Sequence, residues 1–134
     1  MSEATPMPIE PPPPPAEQLA AWQALIDRVR QGDRSQVLAW QEVAAARSVG
    51  AYQVFLTRGL HERLRDAPPL LAGWVAGIIA VLRVDPIEAS MIFRRRRLGA
   101  AGWTVAFGAA EGLLTYWVLP AEQMVVLVDL TWAG

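Results

Sequence analysis

The chain has 134 residues, of which 53% are apolar, with no Cys, a single His and a formal net charge of −1 at pH 7. This length holds one compact domain with an extension, and the apolar content is sufficient for a real hydrophobic core. The lack of Cys excludes disulfides, thiolate metal sites and cysteine nucleophiles, while the lone His excludes a multi-histidine metal cluster. The small net charge points to neither a nucleic acid nor an acidic molecule as partner.

Residues 1–15 contain the run PIEPPPPP. Consecutive prolines adopt a polyproline II conformation, which has no internal hydrogen bonds and no core to join. We expect a disordered, proline-rich tail or spacer, and the alternative is a docking motif for a proline-binding domain.

Residues 16–49 are predicted to form a helical hairpin. The segment AEQLAAWQALIDRVR repeats apolar residues every three or four positions, which gives one apolar stripe. Asp33 followed by Gln36 resembles a capping box that opens a second helix, SQVLAWQEVAAARS, and Gly50 suits its end. Neither helix carries evident ligand chemistry, so we expect the hairpin to pack on the domain or on a second copy of itself.

The following segment predicts a strand and two helices. Residues 51–56 (AYQVFL) form a short strand candidate, and Thr57 can cap the helix that follows, RGLHERLRD. Pro69 suits the first position of the next helix, 70–84, which Asp85 and Pro86 end. That helix is apolar almost all round, so we expect it to be buried on most sides and to cover a sheet.

His61 lies in the first of these helices, beside Glu62 and Arg65. Because no acid–base partner is identifiable, we expect a solvated histidine on a charged helix face. The sequence predicts no cofactor, no metal site and no small-molecule substrate. The longest apolar run, 70–82, falls short of the about 20 residues that span a bilayer, and no leader signal is recognisable. We therefore expect a cytoplasmic protein without a membrane partner.

The run Arg94, Arg95, Arg96 and Arg97 is the most prominent charge feature. Four adjacent like charges repel one another, and guanidinium groups bind phosphates or carboxylates by paired hydrogen bonds. The run is either a solvated turn between helix and strand or a contact for a phosphate or for an acidic segment of a partner.

Residues 102–134 predict three antiparallel strands rich in Val, Thr, Tyr, Trp and Phe, with breaks at 108–112 and 120–123. The predicted class is α+β. A small antiparallel sheet, made of one N-terminal strand and this three-stranded C-terminal meander, is covered by two helices, and the helical hairpin is an N-terminal extension. The expected divisions are a tail at 1–15, the hairpin at 16–49 and a domain at 50–134.

This order of elements resembles the RelE/ParE toxin superfamily. AYQVFLTRGLHERLRDAPP is similar to the opening strand and first helix of that family, and LLAGWVAGIIAVLRVDPIEAS to its second helix. RRLGAAGWTVAF resembles the hinge into its second strand. LLTYWVLPAEQMVVLVDL is similar to its third and fourth strands, with Tyr116 at a position that is usually aromatic.

The resemblance implies a small bacterial toxin that is held by a cognate antitoxin. RelE-type members cleave messenger RNA on the ribosome with basic groups on the second and third strands, whereas ParE-type members bind DNA gyrase. The corresponding positions here are Thr104, Ala106 and Leu113. None of these side chains takes a proton near neutral pH or neutralises a phosphate, so the sequence predicts no catalytic residue.

The leading hypothesis is therefore a ParE-like protein that acts by protein–protein binding, with a cognate antitoxin or a second copy as partner. Trp and Arg are favoured at protein interfaces, and the alternative for each tryptophan is that it fills the core. The candidate partner-binding residues are Arg94, Arg95, Arg96, Arg97, Arg58, Arg63, Arg65, Trp103, Trp117 and Trp132.

Two alternatives stay open. One is an endoribonuclease with relocated catalytic groups, which acts on RNA with or without the ribosome. The other is a non-enzymatic assembly or scaffold subunit, in which the hairpin oligomerises the domain and the proline tract tethers it. The hairpin could also occupy the groove where an antitoxin helix would otherwise lie, because its apolar stripe needs a surface to cover it.

Overall fold

A computed structural model describes residues 13–40, 52–86, 94–99, 101–108 and 112–132. The helices in these ranges are α1 (Ala16–Arg30), α2 (Arg58–Arg65) and α3 (Pro69–Val84). The strands are β1 (Val37–Ala39), β2 (Gln53–Thr57), β3 (Arg94–Leu98), β4 (Gly102–Phe107), β5 (Gly112–Leu119) and β6 (Met124–Trp132). The predicted α+β class is confirmed.

Within the described residues, the strands form one six-stranded sheet in the order β1-β2-β6-β5-β4-β3. The predicted meander is confirmed, because β4, β5 and β6 pair in succession and are antiparallel. The sheet is mixed and not wholly antiparallel as predicted, since β2 pairs with β6 in parallel. The reason is that α2 and α3 carry the chain from β2 to β3 at the far edge of the sheet. Three antiparallel pairings then bring it back to β6, which lies beside β2 and runs in the same direction.

Helices cover the two faces of this sheet. The helix-pair face, beneath α2 and α3, forms a core with side chains from all three of β4, β5 and β6. The opposite face, here called the α1 face, packs on four buried residues of α1: Trp22, Leu25, Ile26 and Val29. The predicted apolar stripe of α1 is therefore confirmed as a packing surface, and it is the sheet of the same chain that covers it.

The second helix of the predicted hairpin is wrong at its start, because Val37–Ala39 is a strand. The Asp33 carboxylate accepts hydrogen bonds from the backbone N–H and the hydroxyl of Ser35, at 3.0 and 2.7 Å, which makes a local turn in place of a helix cap. Val37 is then buried opposite Thr57 of β2. Pairing with a neighbouring strand has overridden the helical pattern. The rest of that predicted helix, like the tail at 1–12, lies outside the described residues.

The boundaries of α2 and α3 follow the local signals in the sequence. The Thr57 hydroxyl accepts a hydrogen bond from the Leu60 N–H at 3.1 Å, as predicted for the cap of α2. Pro69 is the first residue of α3, and the helix ends at Val84, just before Asp85. α3 therefore packs one of its sides on the helix-pair face of the sheet and exposes the other, which forms the candidate site.

Candidate protein-interaction surfaces

The outward side of α3 is apolar along its whole length. The exposed fractions are 77% for Leu70, 47% for Trp74, 42% for Val81 and 76% for Val84. Each lies three, four or seven residues from the next, so that they share one side of the helix. The expectation that this helix is buried on most sides is therefore wrong. Only one side of it meets the sheet, through Val75, Ile78, Ile79 and Leu82.

A groove of about 440 Å³ runs along this outward side. Its floor includes Gly73 and Gly77, where a Cβ would meet none of the described residues within 4 Å. Pro69, Leu70, Ile78 and Val81 line it, and the Trp74 ring forms one wall and lies 6.2 Å from the Phe107 ring. We name this surface the α3 groove. Exposed small residues between large apolar ones provide a shape that another helix can fill.

The sequence carries a signal for this surface, although the same signal also led to the expectation of a helix buried on most sides. The run from Leu70 to Leu82 has no charged residue. A helix on the outside of a single sheet covers that sheet with only one stripe of its surface. The remaining apolar positions must then face water or another molecule.

The arginine run lies in an outer strand of the sheet and not in a turn. Arg95 and Arg97 pair with residues whose side chains point to the helix-pair face, and both guanidinium groups lie over the Trp103 ring, at 5.3 and 5.0 Å from its centroid. Arg97 also donates from Nε to the Gly99 carbonyl at 3.3 Å. Arg96 pairs with Thr104 on the α1 face. The backbone of Arg94 pairs with Ala106. The run is thus divided between the two faces.

A second pairing of arginine and tryptophan lies near the end of β6. Arg63 of α2 donates from Nε to the Leu130 carbonyl at 2.7 Å, and its guanidinium lies 5.1 Å from the centroid of the Trp132 ring. This hydrogen bond and this stacking order a long side chain that would otherwise be mobile. Both arginine–tryptophan clusters therefore present pre-ordered cations on the helix-pair face.

The remaining predicted contact residues lie elsewhere. Arg58 is exposed, and its Nε donates to the Ser35 carbonyl at 3.1 Å, which ties α2 to the turn before β1. Arg65 is exposed and lies with the half-buried His61 in a smaller groove of about 370 Å³. The prediction is wrong for Trp117, which is only 1% exposed and packs edge-on against Trp22, with 6.2 Å between ring centroids. Trp117 is core and cannot reach a partner.

The positions that the family resemblance assigns to catalysis are on the α1 face. Thr104 and Ala106 lie two residues apart on β4, and Leu113 pairs with Ala106. The Thr104 hydroxyl hydrogen-bonds the Thr115 hydroxyl at 3.0 Å, and both side chains are buried. The fold brings these three positions together, but their side chains are a hydroxyl that is already hydrogen-bonded, a methyl and an isobutyl group.

Asp129 lies in the same cross-strand row, opposite Thr115. Burial raises the pKa of its carboxyl above the ordinary value of 3.8, while a hydrogen bond from the Leu130 backbone and the charge of Arg63 act in the opposite direction. No motif in the sequence distinguishes this residue. The alternation of side chains between the two faces along β6 does not predict the position of Asp129 either, because the β5–β6 register shifts between Thr115 and Tyr116.

Among the described residues, no cluster of His, Asp or Glu could hold a metal ion. None of the helices α1, α2 and α3 combines the length and apolar character needed to cross a membrane. No family model matches the chain, and no curated protein sequence or solved structure matches it either.

Proposed function

We propose that this chain acts by binding another protein through the α3 groove, as a toxin-like module of the RelE/ParE kind. The observation that carries the proposal is the exposed apolar side of α3, from Leu70 to Val84. Contiguous apolar surface of this kind is rare on monomeric proteins and marks sites of contact with another macromolecule. Covering it removes apolar area from water, which favours association.

The shape of the groove favours a helix as its occupant. α3 has 16 residues, which correspond to a helix about 24 Å long. A trough of that length, with glycines in its floor and no charge before Arg83, suits an apolar helix face better than a small polar ligand. The partner is therefore a protein chain that presents an apolar helix.

The order of elements supports the toxin-like class. After β2 the chain runs through α2, α3 and β3 into the meander β4 to β6. Apart from the added strand β3, this is the layout on which the resemblance rests. In this proposal a cognate antitoxin is the regulatory partner, and DNA gyrase or the ribosome is the kind of target. Acidic side chains of the antitoxin would meet the two arginine–tryptophan clusters, at Trp103 and at Trp132. A ribonuclease role for Thr104, Ala106 and Leu113 is not part of the proposal, for the chemical reason given above.

The contact is tested by introducing a charge at either end of the exposed side of α3 that bears the groove. The full chain, its Leu70→Glu and Val84→Glu variants and the matched control Gln18→Glu are purified, and each is mixed with the product of the neighbouring reading frame. Gln18 is exposed on α1, far from α3 in the chain, and the control changes the charge by the same amount. We expect the wild type and the control to associate, with that product or with themselves, and both α3 variants to remain monomeric. Unchanged association in the α3 variants would overturn the proposal.

The toxin-like class needs a separate test. The chain is expressed from an inducible promoter in a bacterium, alone and together with the neighbouring reading frame, and viable cells are counted by plating. We expect growth arrest that co-expression relieves, and no arrest by Val84→Glu. Normal growth with the wild-type chain at the same level of soluble protein would refute the toxin-like part and leave the contact surface to its own test.

A further inference from the structure

We infer that the apolar helix that fills the α3 groove is α3 of a second copy of this chain, antiparallel to the first about a twofold axis at Gly77. This inference rests on the proposed function, since it names the partner for the same surface. It is carried by the order of large and small side chains along α3, by the absence of charge on its outward side, and by the open space above its glycines.

The first argument is steric self-complementarity. In an antiparallel pair centred on Gly77, each residue faces the one that lies equally far from Gly77 on the other side. The facing pairs are Leu70 with Val84, Gly73 with Val81, Trp74 with Ala80, and Gly77 with its own counterpart. All of these residues belong to the exposed side of α3. Trp74 and Val81 thus meet an alanine and a glycine, while the two large residues Leu70 and Val84 close the ends of the contact. A twofold interface requires such self-matching of one patch.

The second argument is the closeness that glycine allows. Among the described residues, no heavy atom would lie within 4 Å of a Cβ at Gly73 or Gly77, so neither position is filled by that part of the chain. Two helices whose crossing point is at glycine can approach to the short end of the usual range of about 8–10 Å between axes. Even at about 9 Å, in the middle of that range, facing Cα atoms at Gly77 are only roughly 4–5 Å apart, because each helix backbone has a radius of about 2.3 Å.

The third argument is electrostatic. The only charged residue in α3 is Arg83, near its C-terminal end. In the antiparallel pair, the two copies of Arg83 lie about 18 Å apart along the helix axes, which is beyond the Debye length of about 8 Å at physiological salt. The net charge of −1 per chain adds little repulsion between copies. A different partner protein would have to present an equally uncharged helix. A second copy of this chain does so because it has the same α3.

The size of the contact sets its strength. A single helix pair buries less than the roughly 800 Å² per partner of a standard interface. We therefore expect a reversible dimer whose population depends on concentration, and not an obligate one. None of the residues in the facing pairs belongs to either arginine–tryptophan cluster, so an antitoxin could still bind at those clusters.

The decisive experiment uses disulfide cross-linking, since the chain has no natural Cys. Gly77→Cys should form a covalent dimer under mild oxidation, because facing Cα atoms at about 4–5 Å lie within the range that a disulfide spans. Gly59→Cys is the matched control, since Gly59 is also an exposed helical glycine with open space around it, but it lies on α2. The orientation is tested by mixing Leu70→Cys with Val84→Cys. An antiparallel pair links the two variants to each other, and a parallel pair links each to itself.

A measurement without cross-linking completes the test. Sedimentation of the wild type should show a monomer–dimer equilibrium, and Gly77→Glu should weaken the dimer by at least about tenfold because two carboxylates then meet at the twofold axis. Gly59→Glu should leave the equilibrium unchanged. A wild type that stays monomeric at high concentration, or Gly77→Cys that cross-links no faster than Gly59→Cys, would overturn the inference. If the wild type is monomeric but binds the neighbouring gene product through Leu70 and Val84, the proposed function survives and only the second copy is refuted.

Discussion

The replacement Ile26→Ala tests whether α1 is an integral part of the fold. Ile26 is fully buried between α1 and the sheet. The change removes three carbons, worth about 0.8 kcal/mol each in transfer free energy, or roughly 2.4 kcal/mol, and the cavity adds to this cost. The better helix propensity of Ala returns about 0.4 kcal/mol. We expect a net loss of about 3 kcal/mol in the free energy of unfolding.

Urea unfolding followed by tryptophan fluorescence and by circular dichroism provides the assay. The fluorescence signal sums over six tryptophans, of which Trp22 lies on α1 and Trp117, which it contacts, lies on the sheet. The two probes should give one coincident transition in the wild type and in Ile26→Ala, shifted to lower urea in the variant. Gln18→Ala, at an exposed position of the same helix, should leave the midpoint within about 0.5 kcal/mol of the wild type. A cost below about 1 kcal/mol, or a separate early transition for α1, would refute the reasoning.

Three further outcomes follow from single contacts. Gly112→Ala should lower the free energy of unfolding by about 1–3 kcal/mol, since a Cβ there would lie 2.3 Å from Cζ of Phe107, and thermal unfolding measures it. Thr57→Ala should cost about 1 kcal/mol through loss of the α2 cap, whereas Thr57→Ser should keep most of it. Asp129→Asn should be more stable than the wild type at neutral pH, with a difference that shrinks as the pH falls.

The sign of the last prediction follows from linkage. Because burial raises the pKa of Asp129 in the folded state above 3.8, the folded chain binds more protons than the unfolded chain between these two pKa values. Stability therefore falls as the pH rises through that window, and asparagine removes this dependence. Unfolding curves at several pH values from 3 to 7 measure it. A pH dependence that is identical in the wild type and in Asp129→Asn would contradict the assignment.

Local chemistry explains which parts of the fold the sequence could predict. Thr57, Pro69 and the turn at Pro120 act through interactions within a few residues, and each lies where the pattern put it. Val37 shows the limit of such reasoning. Its neighbours have a helical spacing, but a strand partner 20 residues later in the chain decides its conformation, and no local pattern carries that information.

The candidate site was predicted in part and for a similar reason. The arginines and tryptophans were recognised by residue type, and the structure orders Arg95, Arg97 and Trp103 into one cluster. Burial cannot be read from residue type, which is why residue type alone fails for Trp117 and does not reveal the α3 groove. Both errors concern which side of an element meets the sheet, and that is a property of the assembled molecule.

The parallel pairing of β2 with β6 has a consequence for how the molecule is made. Gln53 meets Met124, so β2 must wait for some 70 further residues to be synthesised before its neighbour exists. Until then β1, with three residues, is the one described strand beside β2, and the apolar helices have an incomplete sheet on which to dock. Closing so long a loop is slow. A nascent chain with unprotected apolar helices is a substrate for chaperones, and its yield in a cell should depend on them more strongly than the final stability suggests.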